Sequence, residues 1–233
     1  MTNVNNLVQQ SMFFGMAISL LAYEAGIMIR NRLKKAIFNP LLISVILVIG
    51  FLLLFRIDYE TYENGAKYLS YLLTPATVCF AVPLYEQIEL LKSNAKAVLA
   101  GISSGVLTSL GSVWLLSWLF GLNHQQYVTM LPKSITTAIG IGVSQEQGGI
   151  VTITVASIVI TGILGNMTAE AVCRIFRITD PVASGVAIGT AAHAMGTAKA
   201  VEMGQIEGAM SSLSVAVAGL LTVAGASVFA GFL

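Results

Sequence analysis

Apolar runs of roughly membrane-span length recur along the 233-residue chain, at 12–29, 40–56, 69–88, 97–120, 150–167, 182–203 and 208–232. Each approaches the roughly 20 mostly apolar residues that a spanning helix needs. An eighth stretch, 126–144 (QYVTMLPKSITTAIGIGVS), is long enough to cross but carries Pro132, Lys133, two glycines and several hydroxyls. That mixture predicts a re-entrant or broken element. Irregular backbone at such depth is tolerated only where protein or a water-filled cavity supplies hydrogen bonds. The pattern predicts an all-α, polytopic integral membrane protein with broken helices.

Composition agrees. The chain is 56% hydrophobic and 10% charged, with a mean hydropathy of +0.83, whereas soluble domains carry about 25% charged residues. A net charge of +1 gives no reason to expect nucleic acid as a partner. Cys79 and Cys173 lie in or beside apolar runs and read as reduced, buried hydrophobes. The first 11 residues are polar and lack a basic n-region, so no cleavable signal peptide is expected. There is no metal-spaced His/Cys set, no nucleophile elbow and no phosphate loop. Neither an enzyme nor a metal or cofactor site is expected.

Shifting the second half back by 114 positions lays GLLTVAG (219–225) on GVLTSLG (105–111), with Gly105/Gly219, Leu107/Leu221, Thr108/Thr222 and Gly111/Gly225 identical. Val45/Val159, Ile46/Ile160 and Ile49/Ile163 match under the same shift, and Pro75 falls on Gly189. This predicts two membrane repeats, 1–120 and 121–233. Matched charges reverse sign: Arg32 falls on Glu146, Glu60 on Arg174, Glu63 on Arg177. Lys and Arg favour the cytoplasmic side, so the two repeats are expected upside down relative to each other, a recurring transporter architecture. The run Arg30 to Lys35, with Lys92, Lys96, Arg174 and Arg177, is placed inside; the acidic loop 57–65 and residues 144–149 outside. With 126–144 returning rather than crossing, seven spans result and the C-terminus is expected inside.

Three stretches carry candidate chemistry. Residues 180–222 set His193, Lys199, Glu202 and Glu207 among Gly, Ala, Ser and Thr. Polar groups at membrane depth are costly and usually face a pathway. Gly189, His193 and Gly196 share one helical face. They read either as an unwound or closely packed crossing point lined by Thr190, His193 and Thr197, with a break expected between Gly189 and Gly196, or as small-residue helix packing; packing alone leaves His193 unexplained. In LPKSITTA (131–138), Pro132 suits the start of a helical turn, and Lys133, Ser134, Thr136 and Thr137 make an anion-binding composition. The alternative for Lys133 is an interfacial anchor that snorkels. In 73–87, Pro75 and Pro83 predict either a broken span or a simple kink.

These motifs also carry a resemblance. LPKSITTAI (131–139), VSQEQGGI (143–150), TGILGN (161–166), the long run 177–204, EGAMSSL (207–213), FNPLLIS (38–44) and PATVCFAVPLYEQ (75–87) together resemble the LrgB/CidB family over nearly the whole chain. Family motifs fall on Pro132, Lys133, Thr136, Thr137, Gly189, Thr190, His193, Gly196, Thr197, Glu207, Gly208 and Ser211. One departure is Ala138, where family members often have proline. The resemblance implies a multi-pass protein of the bacterial inner membrane. It implies either a carrier of small carboxylates (pyruvate, glycolate or glycerate) or a non-transporting regulator of murein hydrolase activity and lysis. The implied partner is a small holin-like LrgA/CidA membrane protein, with a homo-oligomer as a further option. In the carrier reading, Lys133 and the 132–137 backbone hold the carboxylate, while His193 and Thr197 bond a carbonyl or hydroxyl and sense protons.

Overall fold

The computed structural model describes residues 11, 13–33, 38–72, 75, 78–79 and 81–233. Every regular element among them is helical, as the apolar periodicity requires. The chain forms two compact units, 1–79 and 80–233.

In the first unit, α1 (Phe14–Leu33) packs against α2 (Pro40–Phe55) and α3 (Tyr59–Ser70). Asn39 caps α2, its side chain accepting from the Leu41 and Leu42 amides, and Pro40 opens the helix. Gly15 and Gly65 let α1 and α3 approach backbone to backbone, and the Ser19 and Tyr62 hydroxyls lie 2.9 Å apart.

The second unit holds α4 (Ala81–Glu86), α5 (Ile88–Leu119), α6 (His124–Met130), α7 (Thr137–Glu146), α8 (Val151–Ile175), α9 (Pro181–Met203) and α10 (Gln205–Phe229), with a closing 3-10 turn at Ala230–Phe232. Among the described residues, three helices are long and apolar enough to cross a membrane: Lys92–Leu119, Val151–Ile175 and Gln205–Phe232. This is the frame of a multi-pass membrane protein.

The stretch 126–144 is broken, as its composition predicts. An Asn123–Gln126 capping box starts α6, the chain leaves helical geometry over 131–136, and α7 runs back. The Gln125 side chain at the start of α6 donates to the Gly148 carbonyl beyond α7 (3.4 Å). The Ile150 amide donates to Thr129 Oγ1 (2.8 Å). The chain therefore ends at the level where it began, and the segment is a helical hairpin with Lys133 at its tip.

The run 182–203 is interrupted between Gly189 and Gly196, where a break is expected, but it does not cross as a span: α9 reverses direction at His193, whose φ of 44° and ψ of −142° lie outside helical geometry. Before the break, Gly185 and Gly189 press on the backbone at Glu207 and Ser211 of α10. After it, Thr197 meets Ser211 again and Val201 meets Gly208. The two arms thus run in opposite directions along one face of α10. This is a second hairpin, not a crossing, and α10 starts from the end where α9 started.

The two hairpins enter from opposite ends. Along α8, Thr154 contacts the first hairpin at Thr129, Ile158 contacts Gly140 and His193, and Gly165 contacts Ala192. Along α10 the order inverts: Ser211 meets the second hairpin, Gly219 meets Ile139, and the Phe229 carbonyl accepts from the Tyr127 hydroxyl (2.7 Å). Each hairpin precedes a 25-residue helix. Aligning Gly140 with Gly196 also aligns Ala138/Ala194, Glu146/Glu202, Gly148/Gly204 and Ile150/Ile206.

The 114-residue duplication is a different relation. It pairs the unbroken α1 with the broken hairpin 126–144; in its other expected pair, 69–92 against 182–204, residues 73–74, 76–77 and 80 lie outside the described residues. Within 69–88, Pro75 is exposed and Pro83 belongs to α4. Cys173 is buried as expected, while Cys79 is exposed; both are free.

Candidate functional site

A cleft of about 960 Å³ opens in the second unit between α5, α8, the first arm of α9 and the tip of the first hairpin. Small and hydroxyl residues shape it. Gly101, Gly105, Ser109 and Ser112 share one face of α5, and Thr161, Gly165 and Thr168 line it from α8. Val186 packs on Gly101 and Thr190 on Gly105, so α5 and the first arm of α9 run parallel where they touch. One end of the cleft is therefore at Asn94 and Asp180, and the other at Lys133, Ser134 and Ser112.

Lys133 is half-buried. Its Nζ donates to Ser134 Oγ (3.0 Å) and Ser109 Oγ (3.5 Å), and Ser109 Oγ donates to Ser134 Oγ (3.1 Å). Among the described residues no carboxylate pairs with Lys133. Its depth follows from Ser109, ten residues before the end of α5 at Leu119. At 1.5 Å per residue that is about 15 Å, half of a roughly 30 Å hydrocarbon core. A lysine anchoring at an interface would sit near a helix end. Lys133 is instead carried inward by the hairpin and faces the cleft.

Of the hydroxyls expected beside it, Ser134 and Thr190 line the cleft; Thr136 and Thr137 stand at the start of α7 and do not. Pro132 packs near Gly140 at the hairpin's turn. His193 and Thr197 are buried behind the cleft wall. His193 Nε2 lies 3.1 Å from the Ile158 carbonyl; a carbonyl only accepts, so Nε2 carries the hydrogen. Thr197 Oγ1 donates to the His193 carbonyl (3.0 Å), which leaves Ser211 Oγ to donate to Thr197 (2.8 Å). Asn166 Nδ2 donates to the Met195 carbonyl (2.8 Å). These bonds satisfy the backbone freed at the break. Gly189 and Gly196 serve close packing of the two arms and α10. Thr190 Oγ1 differs from all of these: it is buried and has no partner.

Sequence reasoning did not find Ser109, Ser112, Thr161 or Thr168. Their signal is the spacing 101, 105, 109 and 112 on α5 and 161, 165 and 168 on α8, small-residue stripes on one face of otherwise apolar helices.

Among the described residues, no cluster of His, Cys, Asp and Glu could hold a metal ion. The arrangement is suited to holding a small anion against one ammonium and several hydroxyls, at mid-depth, between two hairpins from opposite ends.

Comparison with known proteins agrees with the motif resemblance. The chain is 36% identical over 222 residues to the antiholin-like protein LrgB of Bacillus mycoides (strain KBAB4), covering 95% of this chain and 96% of that protein. Proteins of the same name from Bacillus cereus (strain B4264) and Bacillus anthracis (strain CDC 684 / NRRL 3495) match at the same identity and coverage. No solved structure matches. With residues 19–232 matching its family profile, the chain belongs to the LrgB-like family.

Proposed function

We propose that the protein carries small carboxylates of the pyruvate, glycolate and glycerate class across the bacterial inner membrane. The observation that carries this reading is Lys133, at the tip of a hairpin about 15 Å of helix rise from the end of α5, facing a cleft and paired by no carboxylate among the described residues. A carboxylate leaving water must recover its lost hydrogen bonds. Lys133 and Ser134 supply donors at one end of the cleft, Thr190 forms part of its wall, and each bond to a charged group is worth about 1.5–3 kcal/mol. Thr136 and Thr137 shape the start of α7, while His193 and Thr197 hold the second hairpin closed. Hairpins entering from opposite ends also fit a carrier that exposes a midplane site to one side at a time.

The name of the relatives favours a second reading: a non-transporting, antiholin-like regulator that acts with a small LrgA-like membrane partner, alone or as a homo-oligomer. The purified chain in proteoliposomes separates them. The carrier reading expects uptake of labelled pyruvate or glycolate by the wild type and its loss in Lys133→Ala at equal incorporation. No uptake by the wild type favours the regulator.

A further inference from the structure

We propose that Lys133 also carries the coupling proton: its side chain is a neutral amine while the cleft is empty and takes up one proton with each carboxylate, so acid and proton cross together. The inference rests on the carrier reading and adds to it the ion that drives transport.

The atoms around Nζ accommodate both states. Its two partners are hydroxyls, Ser134 Oγ at 3.0 Å and Ser109 Oγ at 3.5 Å. A carboxylate or a ring of carbonyls would demand the ammonium, because such groups only accept, whereas a hydroxyl both accepts and donates. With Lys133 charged, Ser134 accepts from Nζ and from Ser109, and its own hydrogen is left for an anion. With Lys133 neutral, that hydrogen turns to the nitrogen lone pair while Ser109 still donates to Ser134. The three heavy atoms keep their places in both states.

No fixed charge holds the proton on Nζ. Among the described residues, which include all 11 Asp and Glu of the sequence, no carboxylate pairs with Lys133. The ionisable groups of every surrounding element lie away from it. On α5, Glu89, Lys92 and Lys96 stand at the end opposite Ser109. On α8, Glu170 and Arg174 stand near the end opposite Thr154, which contacts the hairpin. On α9, His193 is behind the wall and bonded to Ile158, while Lys199 pairs with Glu202 and Glu170. On α10, Glu207 is in the first turn, whereas the hairpin meets Gly219. On the hairpin itself, His124, Tyr127 and Glu146 are at the base. Asp180, the other ionisable group lining the cleft among the described residues, sits with Asn94 at its far end, about 22 Å of helix rise from Ser109 along α5.

An ammonium left unpaired in an empty site is costly to carry through a bilayer; a neutral amine, or an ammonium facing a carboxylate, avoids that cost. On loading, a proton from water adds to the Nζ lone pair and the carboxylate faces the resulting ammonium. On release, the carboxylate leaves and Nζ returns its proton to water on the other side. One proton and one carboxylate move per cycle, with no net charge.

The test uses labelled pyruvate and proteoliposomes of the full chain, with the leak through protein-free vesicles subtracted. With the outside one pH unit more acid, the wild type should accumulate pyruvate about tenfold, since one unit is worth a factor of ten per proton. An imposed potassium diffusion potential should leave that ratio unchanged. Arginine is never deprotonated in a protein. Lys133→Arg should therefore keep exchange of labelled for unlabelled pyruvate, in which the site returns loaded, and lose the response to the pH gradient. Where arginine does not fit the tip, Lys133→Cys in a background lacking Cys79 and Cys173 carries the same comparison. Alkylation to an aminoethyl side chain should restore the pH response, and alkylation to a trimethylammonioethyl side chain should restore exchange alone. Wild-type accumulation that follows the potential and ignores the pH gradient overturns the assignment while leaving carboxylate transport standing, as does a permanently charged variant that keeps the tenfold response. A wild type that neither accumulates nor exchanges pyruvate overturns both.

Discussion

His193 Nε2 and the Ile158 carbonyl, 3.1 Å apart, join the turn of the second hairpin to the helix that also supports the first. The side chain of Ile158 packs against Gly140 of the first hairpin, so a single residue of α8 touches both. His193 also holds the reversal itself, at φ 44° and ψ −142°, outside the left-handed helical region and in backbone space that favours glycine.

Two terms at His193 can be separated by substitution. Alanine removes the ring and its hydrogen bond but keeps a Cβ at positive φ. We expect His193→Ala to lower stability by about 2–4 kcal/mol, from the lost bond and the cavity left behind. Glycine loses the same ring but accepts the backbone without strain, so His193→Gly should cost about 1 kcal/mol less than alanine. Thermal unfolding in detergent measures both. Glycine costing as much as alanine would mean that the positive φ is not a constraint at this site.

Packing of the second hairpin makes a second expectation. A Cβ at Gly189 would meet the backbone of Ser211, with its Cα at 2.8 Å, and rigid backbone cannot yield as a side-chain tip can. Gly189→Ala should therefore destabilise by about 1–3 kcal/mol. Gly142 lies in α7 with nothing within 4 Å of an added Cβ. Gly142→Ala should be neutral or gain about 0.5–1 kcal/mol of helix propensity. Equal effects at the two positions would remove close packing as the reason for glycine at 189.

Hydropathy made the long helices legible, and Pro132 with its hydroxyl neighbours made the first hairpin legible, because proline and clustered polar groups are strong local signals. The second hairpin was legible only as a break between Gly189 and Gly196, not as a reversal. Residues 182–203 contain no proline, and their length and small apolar residues read as an interrupted crossing. The reversal rests on a single non-helical residue and on glycines that let three segments share one face. Those are pairwise contacts across the fold, which a one-dimensional pattern does not carry. The cleft was half legible for the same reason. Lys133 stands out in an apolar chain, whereas Ser109 is an ordinary helical serine until the hairpin tip is brought to it.

The second hairpin also changes the expected topology. If 182–203 crossed, Leu233 would lie with Arg174 and Arg177 on the inside. Because α9 returns and α10 then crosses, Leu233 lies at the end of the unit where the first hairpin begins, shown by the Tyr127 bond to Phe229. In a background lacking Cys79 and Cys173, single cysteines at the exposed positions 145, 175 and 231 can be labelled with an impermeant reagent. Positions 145 and 231 should react from one side and 175 from the other. The basic residues of that end, Lys92, Lys96, Arg174 and Arg177, assign 175 to the cytoplasm. Position 231 labelling together with 175 would restore α9 as a span and remove the second hairpin.

The last prediction concerns the triangle formed by Lys133, Ser134 and Ser109. Ser134 Oγ accepts from both Lys133 Nζ and Ser109 Oγ. A hydroxyl has one hydrogen and two lone pairs, so with both lone pairs occupied the Ser134 hydrogen is free to donate to an anion in the cleft. Ser134→Ala removes that donor and the acceptor that fixes Lys133. Lost bonds of this kind cost about 0.5–1.5 kcal/mol each, so KM for pyruvate should rise about 3–10-fold with little change in maximal rate. Ser109→Ala removes only an orienting bond and should raise KM less. Because the two serines share one network, the double variant should cost less than the product of the single effects. Lys133→Arg keeps the charge but presents a planar fork in place of a compact ammonium, and should retain part of the uptake that Lys133→Ala loses. Full uptake in Lys133→Ala, with protein levels matched, would leave the lysine a structural part of the hairpin tip and take the carboxylate from this end of the cleft.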